Sequence, residues 1–278
     1  MTDLPKPGII IEGMAFDKYL AVPALDPTAI APALVSMLKF QWDLTHPKKA
    51  TDAMKFGTAV HTSVLEPDLF PLRYVIWTGG RKSGKEWESF RAANAGKEPL
   101  DEDDYAACLG CRDAVHAHLA AAPLLKDARR EVSVFWTNRA TGLLCKGRID
   151  ILGGATVDLK TTRASVADDR ALKRVASDLV YDMRMAAYCE GLAEFMPASK
   201  VPPVKIIFVE QSAPHDVRVK TISDKSLAAG WDKWQESLTR IAECQKTGVW
   251  PGCDPAESEL EFFGGEDLGL TLNGEPLT

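Results

Sequence analysis

Apolar residues along the chain follow two periods, and the change between them falls near residue 130. Upstream, helical spacing predicts one helix over 26–44, with Asp26 as N-cap and Pro27 in the first position. A second helix is expected from about Thr51 to Leu65, closed by Pro67. The basic, glycine-containing segment 78–98 reads as a loop followed by a short helix, and a longer helix at about 101–120 opens on Asp101. Downstream, EVSVFW alternates and is rich in β-branched and aromatic residues, so it reads as a strand. TNRATG is then a turn, LLCKGRIDIL a second strand, GG a turn and TVDLKT a third strand. Helical spacing returns over 169–196; VKIIFVEQ and DVRVKTIS form two strands around the turn SAPH, and a last helix over 223–246 starts at Ser223 or Asp224. This order predicts an α/β fold with one central mixed β-sheet flanked by helices.

Bulk composition narrows the class without naming an activity. The 278 residues, 46% hydrophobic and 26% charged, provide ample material for a core. No apolar run approaches the roughly 18 to 20 residues that span a membrane, and MTDLPKPGIIIEG lacks the pattern of a signal peptide, so a cytoplasmic protein is expected. Six cysteines in such a chain point to free thiols rather than a disulfide framework. CLGC, at Cys108 and Cys111, reads as helix packing; the alternative is a metal or redox site. The net charge of −6 is unevenly spread: residues 254–278 hold seven acids and no Lys or Arg, and residues 1–253 are close to neutral. Against that background RKSGKEWESFRAANAGK is a local basic stretch, in which Arg81, Lys82 and Lys85 are candidates for phosphate contacts and Trp77 or Trp87 for stacking on an unpaired base.

The candidate chemistry lies in CKGRIDILGGATVDLKTT, residues 145–162. Asp158 and Lys160 are two apart on a strand and share a face. A three-residue turn at Gly153–Ala155 would set Asp150 directly across from Asp158; a two-residue turn would place it one step away. Two carboxylates that close repel each other unless a cation intervenes. A divalent ion held by Asp150, Asp158 and the backbone carbonyl of Leu159 would relieve this, with Mg²⁺ or Mn²⁺ suited to oxygen ligands. Lys160 would then orient or deprotonate an attacking water, or stabilise the charge developing on phosphorus. The alternative is a structural ion pair between Lys160 and one of the acids.

GRID, seven residues and DLK resemble the core of the PD-(D/E)XK nuclease superfamily. FGTAVHTSVLEPDLF, GKEWESFRAANAGK, EVSVFWTNRATGLLCKGRIDIL, VDLKTT, YDMRMAAYCEGL and TGVWPG extend the likeness to RecE-type (exonuclease VIII-like) phage and prophage exonucleases. That resemblance implies a Mg²⁺-dependent exonuclease that degrades one strand of double-stranded DNA from the 5′ end. It would release 5′-mononucleotides and leave a 3′ tail for a single-strand annealing protein, working as a ring-shaped homo-oligomer in the cytoplasm of a bacterial host. Asp150 and Asp158 match the metal ligands, Lys160 the catalytic lysine and His61 the active-site histidine; Glu131 is similar to an additional acid of the superfamily. His61 shares its helix face with Met54, Gly57 and Leu65. Where related nucleases carry Gln-x-x-x-Tyr, this chain has Arg184 and Tyr188, which are candidates for DNA contacts. The resemblance implies one exonuclease domain over 1–253, helical to about 125 with the nuclease core over about 126–250, followed by the acidic tail 254–278. Competing readings are a RecB-like single-strand nuclease and a non-catalytic DNA-binding protein that kept the fold.

Overall fold

The computed structural model describes residues 7–46, 49–254 and 256–257, with the backbone of 271–272 and 275–276. Most of the acidic tail lies outside the described residues. Strand β1 (Ile9–Ile11) and helix α1 (Phe16–Ala21) come first. In place of one helix over 26–44 there is a 3-10 turn at Ala31–Leu34 and then α2 (Met37–Thr45). Asp26 does not cap a helix: it accepts from the Thr28 N–H at 2.8 Å and from the Tyr19 hydroxyl. Ser36 is the true N-cap, accepting from the Lys39 N–H.

Helix α3 (Asp52–Leu65) starts at Thr51, whose hydroxyl accepts from the Met54 N–H, and stops before Pro67 as expected. Then come α4 (Phe70–Arg73), β2 (Tyr74–Ile76), α5 (Lys85–Ala93) and β3 (Glu98–Leu100), with β2 and β3 paired in parallel. Helix α6 (Glu102–Ala117) is capped by Asp101, and α7 (Ala122–Leu125) follows. The meander is β4 (Arg129–Thr137), β5 (Leu144–Leu152) and β6 (Thr156–Thr162). Residues 169–196 are two helices rather than one, α8 (Asp169–Asp178) and α9 (Tyr181–Ala193), because Val180 between them takes a left-handed φ of 51°. Strands β7 (Val204–Glu210) and β8 (Val217–Thr221) and helix α10 (Asp224–Thr247), capped by Ser223, complete the core. No described helix is long and apolar enough to cross a membrane.

Six strands form one mixed sheet in the order β1-β4-β5-β6-β7-β8, parallel only between β6 and β7. On one face α9 and α10 cover β4 and β5 with Met183, Trp234 and Leu238 against Val134, Trp136 and Ile149. On the other α3 and α6 cover β6 and β7 with Phe56, Val60 and Val115 against Val157, Leu159 and Ile207. Cys108 and Cys111 belong to this second core, where burial pushes both thiols up to about 12, so they act as packing groups. Gly147 lets α9 settle onto β5: a Cβ there would meet the Tyr188 ring at 2.7 Å.

Glu190 joins α9, α10 and β4. Its carboxylate accepts from the indole N–H groups of Trp136 (2.9 Å) and Trp234 (2.6 Å), both fully buried, and from the Asn138 amide. Removing the acceptor leaves two buried donors unpaired, so Glu190→Ala is expected to destabilise the fold by about 2–4 kcal/mol. Urea unfolding followed by tryptophan fluorescence measures this, and Glu190→Gln, which keeps an acceptor, should lose less.

Candidate metal centre

Strand pairing builds the site. Leu152 pairs with Thr156 and Ile151 with Val157, leaving Gly153–Ala155 as the three-residue turn. One further step of that register sets Asp150 opposite Asp158. Across the other ladder Arg130 pairs with Ile151 and Val132 with Ile149, so Glu131 falls opposite Asp150. Glu131, Asp150 and Asp158 therefore occupy one row across three adjacent strands.

The row departs from an ideal ladder. Glu131 has a left-handed φ of 53°, a conformation that costs a non-glycine residue on the order of 1–3 kcal/mol. Residues two apart on a strand normally share a face, yet Ile149 joins the α9 core and Ile151 the α3 core. Strand β5 thus changes faces at Asp150, which is buried between the two cores.

Each acid has different company. Asp158 is 2% exposed, with the Lys160 ammonium 2.5 Å from Oδ2. Burial pushes its carboxyl up, but Lys160 and then Arg184 outweigh that and hold it below the ordinary aspartate range. Glu131 is ion-paired with Arg148; burial and Asp150 raise its carboxyl, with Arg148 opposing. Asp150 accepts the Leu159 N–H at 2.7 Å, and burial followed by the charge of Asp158 pushes it up to about 7. His61 Nδ1 stands 3.6 Å from Asp150 Oδ2. Burial and then Lys160 lower the imidazole pKa, so His61 faces Asp150 as the neutral ring that ligates metals.

His61, Glu131 and Asp150 each offer one ligand atom, all within 4.8 Å of one another. Asp150 is ionised at neutral pH only at a cost that a cation would remove, and the donors are mostly carboxylate oxygen. These residues fit a divalent cation of the Mg²⁺ or Mn²⁺ type. Lys160 also donates to the Leu159 carbonyl at 3.3 Å and lies 5.5 Å from the Tyr181 ring centre. The Arg184 guanidinium lies 5.4 Å from the centre of the same ring, and its buried Nε has no hydrogen-bond partner among the described residues.

Of the residues singled out in the sequence, His61, Glu131, Asp150, Asp158, Leu159, Lys160 and Arg184 come together. His61 is half-buried, between exposed Met54 and buried Leu65 on its helix. Arg81, Lys82 and Lys85 are exposed, and among the described residues no hydrogen bond or ion pair joins them to the acids; Lys82 lies near Asp104 at the start of α6. Two expectations are corrected. Tyr188 is 6% exposed and packs on Gly147, so its ring belongs to the core beneath the sheet and is not turned out as a DNA-contacting face. Trp77 is buried against Trp87 and Phe90, so it offers no face to a base. Tyr181 and Arg148 were missed. Both were legible in spacing, Tyr181 one helical turn before Arg184 and Arg148 two residues before Asp150.

A meander followed by helices and a parallel strand, with the acid row and its lysine on β4–β6, defines the PD-(D/E)XK nuclease class. The chain belongs to the family described as a PDDEXK-like domain of unknown function (DUF3799), whose model matches residues 32–259. Among solved structures it is similar to a putative exonuclease from Eubacterium rectale, with a TM-score of 0.60 and 15% identity, covering 84% of this chain and 86% of that one. A phage-related exonuclease from Haemophilus somnus matches with a TM-score of 0.38 and 12% identity over 81% of this chain and 96% of that one. No curated protein matches the sequence. The PD-(D/E)XK resemblance is borne out by the family, and the mixed α/β fold by the Eubacterium rectale structure.

Asp150 sets a pH dependence for the metal-free protein. Its folded-state carboxyl is raised to about 7, against about 3.9 when unfolded. Its stability contribution is fully present below about pH 4 and is lost as pH rises through about 7. Asp158, held low, contributes in the opposite sense: its stability is present above the unfolded value and lost as pH falls through the folded one. Asp150→Asn is therefore expected to raise the urea midpoint in EDTA at pH 8, with little change near pH 4. It should also remove the Tm gain that Mg²⁺ or Mn²⁺ gives the wild type. A metal-induced gain that survives the substitution would count against Asp150 as a ligand.

Proposed function

We propose that the protein is a divalent-metal-dependent exonuclease that degrades one strand of linear duplex DNA from its 5′ end. It would release 5′-mononucleotides and leave a 3′ single strand for an annealing partner. The observation that supports this reading is the row Glu131–Asp150–Asp158 with His61 at one side and Lys160 at the other. His61, Glu131 and Asp150 would hold the ion, assisted by Asp158 and the Leu159 carbonyl. When bound, the ion neutralises the acids and polarises a phosphoryl oxygen.

The remaining work falls to side chains of this chain. A water oxygen bonds to phosphorus as the P–O3′ bond breaks, and the O3′ leaving group takes up a proton. Lys160 has three N–H donors; Asp158 and Leu159 engage two directions, and the third can hold the water or a phosphoryl oxygen. Tyr181 beneath the ammonium keeps it in place. Arg184 offers its unpartnered Nε to a phosphate, a geometry for which Arg is better suited than the Gln of related nucleases. On the same reading the protein assembles as a homo-oligomer around the duplex, which light scattering with and without DNA checks.

Linear duplexes labelled at either end and incubated with Mg²⁺ or EDTA test the activity. Wild type should degrade them only with Mg²⁺, while Asp158→Ala and Lys160→Ala should each lose about a hundredfold or more in rate. Full Mg²⁺-dependent degradation by Asp158→Ala would show the site to be wrong. Protection by a blocked 3′ end, with none from a blocked 5′ end, would reverse the polarity. Faster attack on single strands than on duplex would favour the RecB-like reading.

A further inference from the structure

Arg148 touches more of the molecule than an ordinary ion pair requires. It stands two residues before Asp150 on β5, opposite Ser133 in the ladder to β4. Its Nε donates to the Glu131 carboxylate, and its Nη1 donates to the Met14 carbonyl at 2.7 Å and to Ser133 Oγ at 3.3 Å. Two rings from α1 flank the guanidinium, Phe16 at 5.7 Å and Tyr19 at 5.9 Å. Lys146, the preceding residue on that face, reinforces the connection. Its buried ammonium donates to the carbonyls of Tyr19 (3.0 Å), Leu20 (3.2 Å) and Val22 (2.8 Å), fastening the C-terminal end of α1 to β5.

We propose that Arg148 is a positioning residue that fixes the Glu131 carboxylate in the metal row, and that α1 in turn fixes Arg148. The inference rests on the nuclease reading and adds to it a structural dependence of metal affinity on the N-terminal segment. Glu131 is held in a left-handed backbone conformation, which persists only where the surroundings over-determine it. A planar guanidinium can grip the carboxylate while two further donors anchor to Met14 and Ser133. An ammonium in its place could reach the carboxylate but has no fixed fork to span all three. Glu131 then keeps a carboxylate oxygen within 4.8 Å of the ligand atoms of His61 and Asp150. Loss of the grip frees Glu131 to relax without unfolding the sheet.

The experiment is Mn²⁺ titration of the full chain without DNA, read as free ion by electron paramagnetic resonance. Arg148→Gln should weaken binding about 10- to 100-fold, and Glu131→Gln by a similar factor. The double variant should be no weaker than Glu131→Gln alone, because the two act as one unit. Arg148→Lys should recover part of the affinity. Phe16→Ser tests the α1 contribution at a half-exposed residue whose loss leaves the core intact, and it should weaken Mn²⁺ several-fold. Should Arg148→Gln fail to fold, Arg148→Lys and Phe16→Ser carry the test by themselves. Affinity within twofold of wild type in the folded Arg148 variants, or losses that add in the double variant, would overturn the proposal while leaving the metal centre standing. Wild type that binds no Mn²⁺ would overturn the metal centre and this inference together.

Discussion

Glu131, Asp150 and Asp158 bring three like charges side by side, a strand spacing of about 4.8 Å apart, beneath layers that exclude most water. Repulsion at that distance in a protein interior is several times stronger than at the surface. The neighbours of the row are arranged to offset it. Glu131 has Arg148, and Asp158 has Lys160 with Arg184 behind it. Asp150, in the middle, has a neutral imidazole and one backbone N–H. Burial, and then the charge of Asp158, push the central carboxyl up to about 7, while Glu131 is raised by burial and by Asp150.

The layers of the fold can be understood as the means of delivering those neighbours. Helix α3 brings His61 from one face of the sheet, with Gly57 over β6, where a Cβ would make ordinary contact with Thr161 at 3.7 Å. Helix α9 brings Tyr181 and Arg184 from the other face, seated by Gly147 and held by Glu190 to two buried tryptophans. Helix α1 closes the flank through Arg148 and Lys146. The crossing of β5 between the two cores at Asp150 lets a residue from α3 and a residue from α9 act on the same row. Packing and site are consequently coupled: the contacts that orient the acids are also those that set the helices on the sheet.

Much of this was legible in the chain. The alternation of β4 and β6, the glycines of the turn and the D-x-K spacing were enough to pose the register, and the pairing of Leu152 with Thr156 selects the version that opposes Asp150 and Asp158. His61 needed the family likeness, because a lone histidine on a partly apolar helix face has no signature of its own. The breaks at 26–36 and at Val180 were not legible. Both depend on tertiary contacts, the first on Asp26 bonding Tyr19 instead of capping, the second on a left-handed valine with no local reason to adopt it. Trp77 was misjudged because an aromatic residue beside basic ones looks the same in sequence whether it stacks on a ligand or on its own core, and Tyr188, carried over from the Gln-x-x-x-Tyr pattern, is buried on Gly147.

Two deficits of opposite sign remain at the site, and they belong to different groups. The acid row lacks a cation at Asp150. Lys160 and Arg184, held on the Tyr181 ring, retain donors that no described acceptor fully engages. Lys160 and Arg184 lower both aspartates, yet Asp150 stays raised because burial and the charge of Asp158 outweigh them. A divalent ion alone would satisfy the first and a free anion the second. On the proposed nuclease reading, a phosphodiester entering with a divalent ion would answer both at once. On that reading, it is this complementarity, and not the D-x-K triplet by itself, that would distinguish the arrangement from a buried structural salt bridge.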